Sequence, residues 1–324
     1  MKNTVRTMMI ITALLALVGC AAHLHLDFLG AAKIEEVTLV PSPAKEKILL
    51  IDVEGLITSL AMPGTLSREG DILSQVYLRL EKASADPMIR GVILRLDTPG
   101  GEVTASDVVY HELVKFKEKT GQPIVGLMMT TAASGGYYIA QACDYLVAHP
   151  STVTGSIGVI SLFPDAAALL NSIGLRMNVI KSGKMKDSGG PFRGMTEEER
   201  TVFQGIIDEL YQDFLGVILK NRPTSFSREE LEKIADGRVY TAQQALRLKL
   251  IDEIGYFDNA LGKVLTMASL KQARVVAYTY YPNRKTNLYA SSLAPGPLLD
   301  SKILDKYLPS LKTGFYYLWL PETR

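Results

Sequence analysis

The sequence has few of the residues that disulfide frameworks, metal sites and cofactor sites require. Its 324 residues include two cysteines, Cys20 and Cys143, and four histidines. Two cysteines exclude a framework of several disulfides. No Cys/His cluster has the spacing of metal ligands, and neither a Walker-type phosphate loop nor a dinucleotide fingerprint occurs. We therefore expect no metal and no cofactor.

An excess of charge of either sign is also lacking. The chain has 35 Lys and Arg against 34 Asp and Glu, which gives a formal net charge of +1. A nearly neutral chain offers no electrostatic reason to expect a nucleic-acid partner. The apolar fraction of 47% is enough for a sizeable core, in one large domain or two small ones.

The N-terminus has no hydrophobic run long enough to span a membrane. Lys2 and Arg6 precede an apolar run over 8–18, well short of the roughly 20 residues of a spanning helix. A basic segment followed by a short apolar run is typical of an export signal. Residues 17–20 (Leu-Val-Gly-Cys) resemble the end of a bacterial lipoprotein signal, which predicts a lipid on Cys20. The alternative is an uncleaved signal anchor, and both place the protein body outside the cytoplasm, in the cell envelope.

The rest of the chain is interpreted as a tether, a folded domain and a C-terminal extension. Prolines and histidines interrupt any periodicity over 21–46, so this segment is a predicted tether behind the signal of residues 1–20. Over 47–270 the apolar pattern is regular, which predicts the folded domain. Residues 271–324 contain few helical patterns and an aromatic cluster over 315–319. The sequence leaves three roles open for this extension: it could rest at a lipid interface, contact another subunit or cover a sheet edge.

Short apolar runs alternate with helical patterns through the folded domain. Uninterrupted apolar runs are typical of parallel strands buried on both faces, and amphipathic helices between them are typical of α/β folds. The predicted strands are 48–53, 91–96, 123–128, 144–148 and 176–180, and the predicted helices between strands are 67–85 and 102–119.

The chain is predicted to be helical after residue 186. Thr196 with Glu199, and Ser227 with Glu230, have the spacing of capping boxes. An apolar stripe over 203–218 indicates core or a subunit interface.

Two segments have the order of buried strand, turn of small residues, and helix. The turns are 98–101 (Thr-Pro-Gly-Gly) and 131–136 (Thr-Ala-Ala-Ser-Gly-Gly). At the carboxyl ends of parallel strands, glycines let the backbone approach a ligand and present free N–H groups. Two such turns side by side predict a pair of donors for an oxyanion, with the hydroxyl of Ser134 facing them.

A serine hydroxyl needs a base nearby before it becomes a good nucleophile. His149 is the plausible imidazole, because it follows the strand after Ser134, whereas the other histidines lie in the tether or in a predicted helix. The alternative is a lysine, whose ordinary pKa of about 10.4 would have to fall by about three units. Residues 181–187 contain three lysines. The residues alone therefore do not decide whether the general base is His149 or a lysine.

Five ordered motifs between residues 47 and 270 carry a family resemblance. They are 96–101 (LDTPGG), 134–140 (SGGYYIA), 154–159 (TGSIGV), 180–187 (IKSGKMKD), and 235–240 (ADGRVY) with 250–255 (LIDEIG). Together they resemble bacterial signal peptide peptidase A, also called protease IV, in its short single-domain form. The resemblance implies a Clp-protease/crotonase-like fold of stacked βαβ units with a helical C-terminal part.

The resemblance also implies roles for individual residues. Ser134 is the implied nucleophile, and the lysine directly before the aspartate of its motif, Lys186, is the implied general base. Ser156 is implied to orient the lysine amine. The implied oxyanion donors are the backbone N–H groups of Gly101 and Gly135.

The implied activity is that of a serine endopeptidase that cleaves apolar peptides such as residual signal peptides, with small and aliphatic side chains near the cut. Relatives of this kind form ring-like or dome-like homo-oligomers. Many carry a transmembrane anchor, whereas this chain has a lipoprotein-like signal. The sequence therefore leaves open which membrane holds the protein. Two alternative functions remain on the same fold: a crotonase-type acyl-CoA enzyme and a non-catalytic lipoprotein scaffold.

Overall fold

A computed structural model describes residues 34–59, 72–280, 285–290 and 315–319. A nine-stranded sheet with helices and a second, three-stranded sheet form a mixed α/β structure. The strands are β1 (Ile34–Val40), β2 (Lys47–Glu54), β3 (Ile89–Thr98), β4 (Gly100–Glu102), β5 (Ile124–Ala133), β6 (Tyr145–Ala148), β7 (Val153–Gly155), β8 (Ile160–Ser161), β9 (Val239–Thr241), β10 (Glu253–Ile254), β11 (Arg274–Tyr280) and β12 (Phe315–Leu318). The helices are α1 (Ile72–Ala85), α2 (Val103–Thr120), α3 (Gly135–Ala140), α4 (Ala167–Ser172), α5 (Glu197–Asn221), α6 (Arg228–Ile234), α7 (Ala242–Arg247) and α8 (Phe257–Met267).

The large sheet is parallel through its centre. Strands β11, β2, β3, β5, β6 and β10 lie side by side in this order and run parallel. β1 closes one edge antiparallel to β11, while β7 pairs with the end of β5 and with β9. Parallel neighbours need crossover connections. Here α1 lies between β2 and β3 in the chain, α2 between β3 and β5, and α3 between β5 and β6.

Both faces of the sheet are buried, as the uninterrupted apolar strands predict. Leu49 and Ile51 of β2 belong to the larger core, which includes side chains of α1, α2, α3 and α5. Their neighbours Ile48 and Leu50 point to the opposite face and belong to the smaller core with α8. Cys143 packs against the larger core, and burial raises the pKa of its thiol above the ordinary range.

Four of the five predicted strands are confirmed, and the fifth is wrong. Residues 48–53, 91–96, 123–128 and 144–148 lie in β2, β3, β5 and β6. Residues 176–180 form no strand and are exposed, with the side chain of Ile180 fully in solvent. An apolar run becomes a strand only where a neighbouring strand takes its N–H and C=O groups. Within the described part of the chain, no strand pairs with this segment.

The helical part after residue 186 follows its sequence signals closely. The capping boxes are present, because Thr196 accepts from the backbone of Glu199 and Ser227 accepts from the backbone of Glu230. The apolar stripe of α5 is only partly core. Phe214, Leu215 and Ile218 are buried, whereas Phe203, Ile207 and Leu210 in the first half of the stripe are half-buried.

The sheet extends past both predicted limits of the folded domain. β1 lies within the predicted tether of residues 21–46, and β11 lies within the predicted extension of residues 271–324. Glu36 and Thr38 are exposed on one side of this edge strand, and the other residues of β1 are half-buried. Cys20 and the predicted signal lie outside the described residues. Among the residues that are described, no helix has the length and apolar character needed to cross a bilayer.

A buried ion cluster attaches the segment 285–290 to the sheet. The Nζ atom of Lys285 donates to Oδ2 of Asp52 at 2.6 Å, and Nε of Arg95 lies 2.8 Å from Oδ1 of the same carboxylate. The Arg95 guanidinium also donates to the carbonyl oxygens of Leu288 and Ala290. Burial lowers the pKa of Lys285, and the Asp52 carboxylate opposes that shift. These charges therefore stabilise the fold only as a paired set.

Replacing one partner of this cluster should destabilise the protein measurably. We expect Lys285→Ala to lower the free energy of unfolding by about 2–3 kcal/mol, because Arg95 still compensates part of the Asp52 charge. Lys115→Ala removes an exposed pair with Glu112 and should cost at most about 0.5 kcal/mol. Denaturant unfolding of both variants checks this. Equal stability of the two variants would contradict the anchoring role.

Candidate active site

Ser134 lies on a strained turn between β5 and α3. Its backbone has φ 52° and ψ −114°, a conformation that side-chain-bearing residues rarely adopt. Hydrogen bonds hold the turn on both sides: the Ser134 N–H donates to Gly155 O at 2.8 Å, and Ser134 O accepts from Tyr138 N at 2.8 Å. Strain of this kind persists only where the surroundings over-determine it, and it is common at functional sites.

The hydroxyl of Ser134 is buried without a hydrogen-bond partner among the described residues. Ser134 is 1% exposed, and no described side chain or carbonyl lies within bonding distance of its Oγ. A buried hydroxyl without a partner costs free energy of about 1–3 kcal/mol. Native structures retain few such groups, and a catalytic role is one of the accepted reasons.

The two glycine turns predicted from the sequence are in contact. A methyl group on Gly135 would lie 3.2 Å from Cα of Gly100, and one on Gly100 would lie 2.7 Å from the backbone N of Gly135. A methyl group on Gly101 would lie 1.9 Å from the carbonyl oxygen of Ile57. The approach of backbone to backbone at this point therefore requires residues without a side chain. The prediction that the two turns lie side by side is confirmed.

The carbonyl groups around Gly101 show which way its own N–H points. Ile57 N–H donates to Gly100 O, and Glu102 N–H donates to Ile57 O, so residues 100 and 102 face the Ile57 side. Successive residues of a strand face opposite neighbours. Gly101 therefore directs its N–H and C=O to the other side, where β12 pairs with it.

Ser156 lies close to the nucleophile turn. It follows β7, which pairs with the end of β5, and the carbonyl of the residue before it accepts the Ser134 N–H. Ser156 is buried and has a positive φ of 48°, and its N–H donates to Arg238 O at 2.8 Å. The structure therefore brings Ser134, Ser156 and the glycine turns together. The role of Ser156 as orienter of an amine stays a prediction.

Within one chain, Lys186 is not hydrogen-bonded to Ser134. It lies on an exposed turn, and the hydroxyl of Ser134 has no partner there or elsewhere in the described residues. A network of charges holds that turn in place. Asp187 pairs with Lys181 and Arg193, and Arg193 also pairs with Glu199 at the start of α5. The neighbours of Lys186 are thus ordered by ion pairs while its own side chain is exposed.

His149 is likewise not hydrogen-bonded to Ser134. Its Nδ1 lies 2.8 Å from Oγ of Ser151, and its ring packs edge-on against Tyr256 at 5.0 Å between centroids. Neither contact leads to Ser134. Among the described residues no group of His, Cys, Asp and Glu has an arrangement that would hold a metal ion.

Comparison with known proteins shows the family. Residues 116–272 match the model of peptidase family S49. The chain is 34% identical over 251 residues to a candidate signal peptide peptidase SppA of Enterococcus faecium, covering 78% of this chain and 72% of that protein. It is 34% identical over 231 residues to a candidate protease of Synechocystis sp., covering 71% and 78% of the two chains. It is also 31% identical over 233 residues to protease 4 of Haemophilus influenzae, covering 71% of this chain but 36% of that relative.

The chain belongs to peptidase family S49, and the resemblance seen in its motifs is confirmed. It is similar to signal peptide peptidase SppA and to protease 4 over most of its own length, and it spans about a third of the longer protease 4 chain.

The strand that lies against the glycine turns is not among the strands predicted from the sequence. β12 pairs antiparallel with β4 and β8 to form the three-stranded sheet, so the aromatic cluster of residues 315–319 lies at the candidate site. The aromatic residues were a strand signal. The four residues of β12 carried no information about which strands they would join, because pairing partners far apart in sequence are chosen only in the folded chain.

Adding one methyl group between the glycine turns should remove activity. We expect Gly135→Ala to lower kcat by about 100-fold or more, because its methyl group would lie 2.5 Å from the Ser106 hydroxyl and displace a predicted oxyanion donor. Gly205→Ala is the matched control, since nothing lies within 4 Å of its added methyl group. Peptidase assays on both folded variants check this. Full activity of Gly135→Ala would contradict the requirement for a residue without a side chain at this turn.

The ion network beside Lys186 should respond to acid. Arg193 holds the pKa of Glu199 at about 2, so stability from this pair is complete above the ordinary pKa of about 4.3 and is lost as pH falls toward about 2. The difference in Tm between wild type and Arg193→Gln should therefore be clear at pH 6 and shrink toward zero near pH 2. A difference that does not change with pH would contradict this.

Arg238→Gln is the control for the acid experiment. It removes a pair with Asp236, whose side chain is 45% exposed, whereas that of Glu199 is 2% exposed. Solvent screens the exposed pair, so its removal should change Tm little at any pH.

Proposed function

We propose that this protein is a serine endopeptidase in which Ser134 is the nucleophile and Lys186 is the general base. The observation that carries the proposal is the buried, unpartnered hydroxyl of Ser134 on a strained turn beside two glycine turns, in a chain of peptidase family S49. Family membership also favours a peptidase over an acyl-CoA enzyme. We further propose that the fold is of the Clp-protease/crotonase type, for which the parallel sheet with βαβ connections is the support.

In the proposed reaction, Oγ of Ser134 bonds to a peptide carbonyl carbon while its proton passes to the neutral Nζ of Lys186. The carbonyl oxygen becomes an oxyanion that accepts from the backbone N–H groups of Gly101 and Gly135. Protonated Lys186 then gives its proton to the leaving amine as the C–N bond breaks. Water next adds to the acyl-enzyme, its proton passes to Lys186, and Ser134 regains its own proton as the acid leaves. Ser156 would orient the amine throughout.

We propose that Lys186 reaches Ser134 from a second copy of the chain. Within one chain the two residues are not in contact, although both sit in ordered structure. Lys186 ends an exposed arm over 164–186 that carries apolar side chains in solvent, among them Leu169, Ile173 and Ile180. An apolar surface of this kind is typical of an interface. A homo-oligomer that buries this arm would also supply each site with its base.

The N-terminus and the apolar substrate complete the proposal. We propose a lipid on Cys20 or an uncleaved signal anchor, which would tether the peptidase in the cell envelope. The substrates would be apolar peptides such as signal peptides left after secretion, which the similarity to signal peptide peptidase SppA supports. No metal or cofactor is part of the proposed reaction.

Variants of the two reacting residues test the proposal. We expect Ser134→Ala, Lys186→Ala and Lys186→Arg each to lower kcat on an apolar fluorogenic peptide by at least ~1000-fold. Arginine keeps the charge but does not become neutral, so it separates a base from a fixed cation. Lys184→Ala and His149→Ala are controls that should keep activity within a few fold. Full activity of Lys186→Ala would exclude the lysine base, and no activity in any preparation would favour a scaffold.

Co-expression of two inactive variants tests where the lysine comes from. Oligomers containing both Ser134→Ala and Lys186→Ala chains, purified through two different tags, should regain about a quarter of wild-type activity, because half of each site component is intact. If both residues act within one chain, the mixed oligomers would stay inactive.

A further inference from the structure

Glu199 is a buried carboxylate in a part of α5 that otherwise lies at the surface. Its side chain is 2% exposed, whereas every other residue over 197–210 is exposed or half-buried. A buried charge needs partners that compensate for the loss of water. The capping box does not demand this burial, because Glu230 of α6 and Gln244 of α7 hold the same place in their capping boxes and are both exposed. Capping therefore does not account for the burial of Glu199.

Three residues converge on the Glu199 carboxylate. The Thr196 N–H donates to Oε2 at 2.9 Å, which is the capping bond. Arg193 donates to both oxygens, with Nη1 2.9 Å from Oε2. The Ser188 hydroxyl lies 3.0 Å from Oε1. Arg193 and Ser188 belong to the segment before the helix, so this carboxylate joins the start of α5 to the turn that carries Lys186.

The network reaches the chain on both sides of Lys186. After the lysine, Asp187 accepts from Arg193 through both of its oxygens, which lie 3.2 Å from Nε and 2.6 Å from Nη2. Paired bonds of this kind fix orientation as well as distance. Before the lysine, the carbonyl oxygen of Met185 lies 2.7 Å from the Ser188 hydroxyl. Both chain neighbours of the lysine are thereby tied to one buried carboxylate, although the lysine side chain itself is exposed.

The charges around this turn are balanced. Apart from Lys186, residues 181–200 carry four positive and four negative side chains. Half of them form the network, and the others form two exposed pairs, Lys184 with Glu198 and Arg200 with Glu197. Asp165 approaches the same loop at Gly194.

Within the network each charge is offset by another. An aspartate next to a lysine would by itself favour the charged ammonium form. Lys181 and Arg193 offset the charge of Asp187, and Glu199 offsets the second cation in turn. The network therefore fixes the turn without adding net charge beside the lysine.

We propose that Glu199 is the positioning residue of the general base: through Arg193 and Ser188 it fixes the turn that presents Lys186 and keeps the charge beside the lysine amine balanced. This inference rests on the proposed function and gives the capping residue of α5 a second role. The helix supplies a firm support, because Phe214 in its other half lies in the larger core. A turn held in this way would present the base to a second copy of the chain.

Two neighbouring glutamates give a matched test of positioning. Glu199→Gln keeps the size of the side chain and an oxygen for the capping bond, but it removes the charge that binds Arg193. We expect kcat on the apolar fluorogenic peptide to fall about 10- to 100-fold with KM changed less than about threefold, because a misplaced base slows the chemical step and not binding. Glu198→Gln removes the same charge from a side chain that is 56% exposed, and it should keep kcat within about twofold of wild type. Equal kcat in the two variants would overturn the proposal.

The pH dependence of activity separates positioning from a loss of stability. Arg193 holds the pKa of Glu199 at about 2, so the network keeps its charge over the range in which the base titrates. Glu199→Gln leaves net positive charge beside the amine, and Arg193→Gln leaves net negative charge. The midpoint of the rise of kcat/KM with pH should therefore move down in the first variant and up in the second, each by about 0.3 pH unit or more at low ionic strength.

Arg193→Lys separates the charge from the geometry. It keeps the positive charge but not the planar fork, so it should lower kcat and leave the midpoint at the wild-type pH. A midpoint does not depend on how much of the protein is folded, so a loss of stability does not imitate these shifts. Midpoints that move in the same direction in Glu199→Gln and Arg193→Gln, or that do not move, would overturn the proposal.

A double-mutant cycle distinguishes failure of this inference from failure of the proposed function. An activated ester, whose leaving group needs no proton, is the substrate, so that slow variants remain measurable. If Glu199 acts through Lys186, adding Glu199→Gln to Lys186→Ala should change the rate less than about twofold. A further fall of about tenfold or more would overturn the positioning role and leave the lysine base in place. Cleavage of the peptide by Lys186→Ala at the wild-type rate would overturn the lysine base itself, and this inference with it.

Discussion

The close approach of two backbone turns is the constraint on which the rest of the site depends. Gly100 and Gly135 come so near that neither position has room for a methyl group. Parallel pairing of β3 with β5 creates this approach, because it brings the carboxyl ends of the two strands to the same edge. The glycines keep the turns free of side chains. The backbone N–H groups and the hydroxyl of Ser134 can then share one small space.

The same constraint explains why the nucleophile turn is strained and still well held. β7 lies beside the end of β5, and its Gly155 carbonyl accepts the Ser134 N–H. On the other side, the Tyr138 N–H of α3 donates to the Ser134 carbonyl oxygen. Together these bonds hold a positive φ at a serine, and the hydroxyl is left without a partner. The unpartnered buried hydroxyl is therefore that of the proposed nucleophile.

Two exposed features of the single chain lie close together in the sequence: the turn around Lys186 and the apolar segment before it. Ion pairs of Asp187 and Arg193 order the turn around Lys186, yet the lysine side chain is exposed. Residues 176–180 expose the apolar side chains of Met177, Val179 and Ile180, and no described strand pairs with this segment. These two features lie on one arm of the chain. A second copy that covers the arm would explain the exposed apolar surface and the missing base together, whereas neither is explained by the isolated chain.

Several features of this protein follow from local sequence. Leu49 and its neighbours in β2 alternate between two cores because an uninterrupted apolar strand needs cover on both faces, and Thr196 begins α5 because a capping box satisfies the free N–H groups of a first turn. The same pattern rules placed Ser134 directly before two glycines at a strand end. These are properties of residues close in the chain, so the sequence alone determined them.

Tertiary structure decided the rest. Residues 176–180 looked like a strand but found no partner in the chain, while Phe315–Leu318 joined β4 and β8 from far away. β1 and β11 likewise extended the sheet past the predicted domain limits. The residues alone do not identify the general base, and within one folded chain Lys186 makes no hydrogen bond to Ser134. The physical reason is common to all four cases: hydrogen-bond partners distant in sequence are selected by the packed chain and its assembly, and no local pattern encodes that choice.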